Sequence, residues 1–245
     1  MSKKKKVNQN YLKELVQLEE RAPNEVKSIV NILNLKPKAK ILDLCCGYGR
    51  HAIPLIEMGY RVTGFEISKP LYENAKEQVQ AAGLNMDLYH GDMRRLPQII
   101  DDKFDAIINI FTAFGFYHKE SDNQRALNGA AKLLNKGGYF LMDLANRENV
   151  LKHWQSRQWY STGDIVILEE SVFDFFSSRL EVKRTYLGMG QENEVSNFSI
   201  RLYSLHEMLA MIKKANMITA AVFGDFDMNQ FSTHSRRMII LAQKH

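Results

Sequence analysis

The sequence lacks most of the features that would settle its class at a glance. It has two cysteines in 245 residues, Cys45 and Cys46. Neighbours along a strand point to opposite faces, which suits no disulfide. Without His or further Cys close by they make no zinc site either. Both are expected to pack at the end of a buried strand, and no metal is expected. No apolar run approaches the ~18 residues of a membrane span. The longest, residues 106–117, is broken by Asn109 and Thr112. The basic start, Lys3 to Lys6, has no apolar stretch behind it and so no secretory pattern. A cytoplasmic protein with no membrane partner is expected. Charge of one sign is missing too: 33 basic side chains face 28 acidic ones, and four of the net five positive charges sit on Lys3 to Lys6. A folded nucleic-acid binder would spread its basic residues over one face, so no nucleic-acid partner is expected. Residues 1–8 read as a solvated basic tail, and no repeat or low-complexity segment follows it.

What is present is globular. The chain is 45% hydrophobic and 25% charged, ordinary values for a packed domain. Its length suits one domain with an insertion and buries ~70% of the unfolded surface without staples. Residues 9–20 fit a short amphipathic helix. Val26, Ile29, Val30 and Leu33 then mark the core stripe of a second helix that Pro37 ends. Strands are expected at 40–46, 60–65, 86–90, 104–111 and 139–144. The helices between them begin near Ala52, after the cap Ser68, and at a cap formed by Ser121 or Asp122, with Lys136-Gly137-Gly138 as a turn. Alternation of this kind means a parallel sheet covered on both faces. After residue 150 the rhythm changes: 165–174, 179–187 and 194–203 read as a three-stranded antiparallel meander. A helix over 205–215 and strands over 217–223 and 237–242 complete the chain. Residues 9–150 and 204–245 therefore form one α/β unit, and 151–203 an antiparallel insertion that builds an acceptor pocket or a dimer surface.

The strongest local signal is the first strand–turn–helix unit, residues 41–50. A parallel sheet binds ligands beyond the carboxyl ends of its strands, and Gly47 and Gly49 let backbone approach a ligand closely. With Ala52 the turn also permits a dinucleotide fingerprint, so glycines alone do not choose. Acid spacing says more. Glu66 ends the second strand, where a carboxylate can accept both hydroxyls of an adenosine ribose. Asp92 follows the third strand and can take the exocyclic amine of adenine. Asp43 lies in the first strand, where it can hold the turn's amides or meet a positive group. Three acids at successive strand ends suit a cationic, phosphate-free nucleoside better than a pyrophosphate, which wants bare amides. The competing reading is that each acid merely caps a turn.

With these residues the chain resembles the class I S-adenosylmethionine-dependent methyltransferases. The resemblance rests on 41–49, Val62 to Glu66, Gly91-Asp92-Met93, 104–115 and 134–143, and it resumes at 205–243. It implies a Rossmann-like, seven-stranded, mostly parallel sheet with an antiparallel last strand, S-adenosyl-L-methionine as cofactor, and a small-molecule acceptor. Asp43, Gly47 and Gly49 would cradle the methionine part, Glu66 the ribose, Asp92 and Met93 the adenine, and Asn109 the methionine or the acceptor. Tyr11, Cys45, Tyr48 and Ile67 complete the implied binding set. One departure is Cys45, which stands where the family's Asp-x-Gly-x-Gly-x-Gly turn has its first glycine. The insertion, 114–117 and the ending 224–237 resemble the N-methyltransferases of deoxyaminosugars and peptide α-amines. The Asn/Asp-Pro-Pro-Tyr/Phe signature is absent; Asn109-Ile110-Phe111-Thr112 stands there. Methyl transfer from a sulfonium needs alignment more than a nucleophile from the protein. An amine must lose its proton first, and His118, just after the fourth strand, is the expected base, with Tyr117 orienting the acceptor. Trp154, Trp159, Phe173, Phe175 and Phe176 suit packing of the insertion, an apolar pocket or a dimer surface. A monomer or homodimer is expected. O-methylation, a non-catalytic cofactor binder and a nicotinamide-dependent oxidoreductase remain as alternatives.

Overall fold

The computed structural model describes residue 14 and residues 18–163, 165–188 and 193–245. The basic tail, the helix expected over 9–20 and Tyr11 fall wholly or mostly outside these residues. A seven-stranded sheet runs β10-β11-β5-β4-β1-β2-β3. Its strands are β1 (Lys40–Leu44), β2 (Arg61–Glu66), β3 (Asp87–His90), β4 (Phe104–Asn109), β5 (Leu134–Ala145), β10 (Met217–Phe223) and β11 (Arg237–Lys244). Only β11 runs antiparallel to its neighbours, β5 and β10; the pairings among β1 to β5 are parallel. The α/β architecture expected from the alternation is the one observed.

Packing follows from strands whose side chains are buried on both faces, the pattern that helix-covered parallel sheets impose. Ile41, Ala106, Ile108, Leu141 and Ile239 point to one side. There Val26, Ile29 and Leu33 of α1 (Ala22–Leu33) and Leu55 of α2 (Ala52–Glu57) close the layer. Leu42, Leu44, Phe65, Ile107, Phe140 and Met142 point to the other. They meet Ala126, Leu127 and Ala130 of α5 (Glu120–Leu133) and Met208 and Ile212 of α7 (Leu205–Lys214). Between these lie α3 (Lys69–Ala81), the single turn α4 (Leu96–Ile99) and α6 (Arg147–His153). Each buried Leu or Ile is worth roughly 2–5 kcal/mol against Ala, so this double layer sets the strand ends firmly. The strand order reverses between β1 and β4, which opens a crevice at their carboxyl ends, the usual ligand position of such sheets.

Three local expectations are corrected. The insertion has four strands, not three: β6 (Arg157–Thr162), β7 (Ile165–Asp174), β8 (Arg179–Gly188) and β9 (Glu194–Arg201), paired in that order. β6 escapes sequence reading because it is an edge with polar residues on both faces; of its side chains, Tyr160 packs against Ile165, Ile167 and Tyr186. The Lys136-Gly137-Gly138 turn lies inside β5, as an irregularity between the pairs Phe104–Leu134 and Ala106–Tyr139, with Gly137 at φ +78°. Helix α5 starts at Glu120 with Lys119 before it, and no side chain caps it. Asp122 instead receives Arg94 at 3.0 Å.

Candidate functional site

The carboxyl ends of β1, β2 and β4 open into a cavity of about 390 Å³. Its floor is the turn after β1. Gly47 and Gly49 adopt φ +59° and +93°, and Cys45, a side chain in the left-handed region, adopts φ +67°. A non-glycine residue there costs roughly 1–2 kcal/mol, and the surroundings hold it in place: the Cys45 and Cys46 amides both donate to the Phe65 carbonyl, at 2.8 and 3.1 Å. The Gly47 amide donates to Glu66 Oε2 at 3.0 Å and the Gly49 amide to the Cys46 carbonyl at 2.9 Å. Four amides of the turn are thus already answered by the protein, which is poor preparation for a pyrophosphate.

The acids around the turn differ in state. Glu66 is buried, and its other oxygen accepts the Ser68 amide at 2.7 Å. Burial pushes its carboxyl up, and the bonds from Ser68 and Gly47 oppose that. Each oxygen keeps a further lone pair. Asp43 is fully buried with Oδ2 unpartnered, and burial pushes its carboxyl up to about 7, opposed by Arg50 and reinforced by Glu66. Asn109 donates its amide to the Leu44 carbonyl at 2.8 Å, leaving Oδ1 buried and unpartnered. The Ser68 hydroxyl, on the cavity wall, is also buried without a partner; it does not cap α3. Each such group costs roughly 1–3 kcal/mol. Of the three only Ser68 is a wall residue of the cavity; Asp43 and Asn109 lie near the ends of β1 and β4, next to the wall residues Cys45 and Ile110.

Asp92 is engaged differently. Arg94 holds it through its backbone amide, Nε and Nη2, and the Tyr117 hydroxyl donates to Oδ1 at 2.5 Å. Burial raises the Asp92 carboxyl, but these bonds outweigh it and hold it down at about 2. Met93, Tyr48, Ile67 and Tyr117 line the cavity. His118 does not: it is exposed and borders a separate open groove of about 770 Å³ along the insertion sheet, with Arg157, Glu170 and Lys183.

Several cavity neighbours had not been singled out in the sequence. Arg50 and His51 both contact Glu25 Oε2, at 2.6 and 2.9 Å, and so tie the turn to α1. Burial lowers the His51 imidazole below its ordinary value, against the pull of Glu25, and keeps it neutral near pH 7. Asp143, at the end of β5, is buried and bidentate with Arg237 and accepts the Phe111 amide at 2.9 Å. Phe111 and Thr112 are consecutive left-handed residues, φ +64° and +57°. The Arg50 and Arg237 guanidiniums each stand 5.7 Å from the Phe111 ring. Asp143 had the same signal as Asp43 and Asn109, a polar residue near the end of an apolar strand.

Among the described residues no group of three His, Cys, Asp or Glu is placed to hold a metal ion, and no helix is long and apolar enough to cross a membrane. Residues 41–138 match a family described as a methyltransferase domain. The glycine/sarcosine N-methyltransferase of Aphanothece halophytica is 26% identical over 163 residues, 66% of this chain and 62% of that enzyme. The chain therefore spans about three fifths of the length of that relative. A solved S-adenosylmethionine-dependent methyltransferase from Clostridium acetobutylicum ATCC 824 superimposes with TM-score 0.82 at 16% identity, covering 92% of each chain. The sugar N-methyltransferase KedS8 from Streptoalloteichus sp. ATCC 53650 gives 0.67 at 19%, covering 93% of this chain and 86% of that one.

Proposed function

We propose that the chain is a class I S-adenosylmethionine-dependent methyltransferase, a reading supported by the match of residues 41–138 to a methyltransferase domain and by the fold, and that it methylates a small molecule at an amine nitrogen. The observation that carries the reading is the pair of buried, unpartnered acceptor atoms, Asp43 Oδ2 and Asn109 Oδ1, at the ends of β1 and β4. Beside them the Gly47 and Gly49 amides are already committed. Open acceptors beside glycine amides that are already engaged suit a ligand that is cationic and free of phosphate, and they fit a sulfonium amino acid better than a dinucleotide.

In this reading Asp43, Cys45, Gly47, Tyr48 and Gly49 hold the methionine part, with Asn109 facing it from β4. Glu66 accepts the ribose hydroxyls on lone pairs that Gly47 and Ser68 leave free, and Ile67 and Met93 flank the adenine next to Asp92. Tyr11, the remaining member of the implied binding set, lies outside the described residues. When bound, S-adenosylmethionine supplies a methyl group already activated by its sulfonium. The chain's own residues then need to align an acceptor, exclude water and receive a proton. Ile110, Phe111 and Phe116 give the cavity its apolar wall. A role for His118 as base requires an acceptor that reaches from the cavity into the insertion groove. Residues 151–203 serve as the acceptor side of the protein, and the N-methylating relatives favour nitrogen over oxygen.

Calorimetric titration of the full chain with S-adenosylhomocysteine and with NADH tests the reading, followed by mass spectrometry of an amine panel (glycine, sarcosine, aminosugars) incubated with S-adenosylmethionine. Binding of the homocysteine analogue and methylation of an amine are expected. Binding of NADH alone would sink the proposal; binding of the homocysteine analogue with no methylated product would leave a cofactor-binding protein without turnover.

A further inference from the structure

Asp92 is the one strand-end acid of the site whose acceptor capacity is used up within the protein. A carboxylate offers about four lone-pair directions. Here Oδ1 takes the Tyr117 hydroxyl at 2.5 Å, the Arg94 amide at 2.9 Å and Arg94 Nε at 3.1 Å, while Oδ2 takes Nε at 3.0 Å and Nη2 at 2.5 Å. An exocyclic amine approaching Asp92 meets a carboxylate with nothing left to offer, so one donor must leave.

The donors are not equally replaceable. Arg94 is charged, bidentate, anchored on its far side to Asp122 at 3.0 Å, and its amide belongs to the short 3₁₀ turn Met93–Arg95. Releasing it would cost a charge-assisted pair and a turn. The Tyr117 hydroxyl is a single neutral donor on a half-buried ring that stacks 4.5 Å from the Arg94 guanidinium. Its backbone is held: the Tyr117 carbonyl accepts Asn123 Nδ2 and Arg179 Nη1, each at 3.0 Å. The side chain alone can therefore turn away. Placement agrees with this. Met93 and Tyr117 line the cavity beside Ile67 and Ser68, whereas Asp92 is not part of the wall.

We propose that the Tyr117 hydroxyl and the 6-amino group of the adenosyl base compete for Oδ1 of Asp92, so that Tyr117 sets how strongly and how selectively the base is held. This deepens the cofactor assignment above and rests on it. Tyr117 is then a positioning residue on the cofactor side: it guards the acceptor that distinguishes a 6-amino purine from a 6-oxo purine, and it yields only to a donor.

The test compares S-adenosylhomocysteine with its deaminated 6-oxo analogue, S-inosylhomocysteine, on wild type and Tyr117→Phe. The ring and its stack on Arg94 remain in the variant; only the competing hydroxyl goes. Tyr117→Phe is expected to bind the adenosine compound about tenfold tighter, the scale of one hydrogen bond to a charged acceptor. Its preference over the inosine compound should widen by a similar factor. In the wild type labelled at tyrosine Cζ, the ¹³C resonance assigned to Tyr117 should shift with the adenosine compound and stay put with the inosine one. Weaker or unchanged adenosine binding in a folded Tyr117→Phe overturns the competition and makes Tyr117 a prop for Asp92. Should that variant fail to fold, a Tyr117 resonance that ignores the adenosine compound overturns it equally. Failure of the wild type to bind S-adenosylhomocysteine would remove the cofactor assignment itself, and the competition with it.

Discussion

Replacing Asp43 with Asn should make the protein more stable at alkaline pH while weakening its grip on a cation. Asp43 sits in mid-sheet, between Gly64 of β2 and Ile108 of β4. Burial there, opposed by Arg50 and reinforced by Glu66, lifts its carboxyl from an ordinary 3.8 to about 7. An acid whose folded value is raised holds its proton while the unfolded chain has lost it. Its contribution is therefore intact below 3.8, declines as pH rises toward 7, and is flat above. At 1.36 kcal/mol per pH unit the loss amounts to about 4 kcal/mol by pH 8. Asn has the same outline and no charge, though its extra N–H groups need partners, at roughly 1–2 kcal/mol. Urea unfolding across pH 4 to 8 should show Asp43→Asn below the wild type by about 1 kcal/mol at pH 4 and ahead by about 2–3 kcal/mol at pH 8. S-adenosylmethionine should bind more weakly to the variant throughout. Parallel stability curves, or a variant that is less stable at pH 8, would refute the account of Asp43 as a carboxylate kept at a cost for a positively charged ligand.

Other consequences are simpler to measure. Glu66→Ala should weaken S-adenosylhomocysteine binding by roughly 1–3 kcal/mol, because ribose hydroxyls would lose their acceptor; calorimetry giving an unchanged affinity would exclude the ribose assignment. Gly115 lies at φ +106°, and a Cβ there would meet the Arg201 carbonyl oxygen at 2.6 Å. Gly115→Ala should therefore lower unfolding free energy by more than about 2 kcal/mol, and a melting temperature equal to wild type would show that this contact gives way. His118→Ala should reduce turnover without touching cofactor affinity if an acceptor reaches the insertion groove; equal rates at every pH would take His118 out of the reaction.

The parts of this molecule that could be read in its sequence are those governed by local chemistry. Runs such as Ile41-Leu42 and Ile107-Ile108 declare strands buried on both faces, and glycines at 47 and 49 declare the turn between the first strand and its helix. Carboxylates spaced by one strand and one helix land at neighbouring strand ends, so the placing of Asp43 and Glu66 side by side was legible. What could not be read depends on partners far along the chain. Asp92 meets Tyr117 across 25 residues, and Asp143 meets Arg237 across 94. Neither pairing has a local signature, yet each decides whether a carboxylate is free. The outward aim of His118 was hidden for the same reason, since it follows from how the segment after β4 is moored to the insertion. β6 was missed because an edge strand is defined by its neighbour rather than by its own alternation.

The two sheets keep separate interiors. No residue of β6 to β9 belongs to either large core cluster; the insertion packs on its own nuclei, Ile165, Ile167 and Tyr186 in one, Phe173, Ile200 and Leu202 in the other. Its exit and return are riveted to the main body instead. Asn146 grips the Ser232 and Ser235 carbonyls at 2.9 and 2.7 Å, and the Tyr203 ring lies 5.7 Å from that of Phe114. A module with its own packing can be recut by mutation, strand by strand, as long as Arg179 and Arg201, which steady the Tyr117 and Gly115 backbone at the cavity rim, are kept.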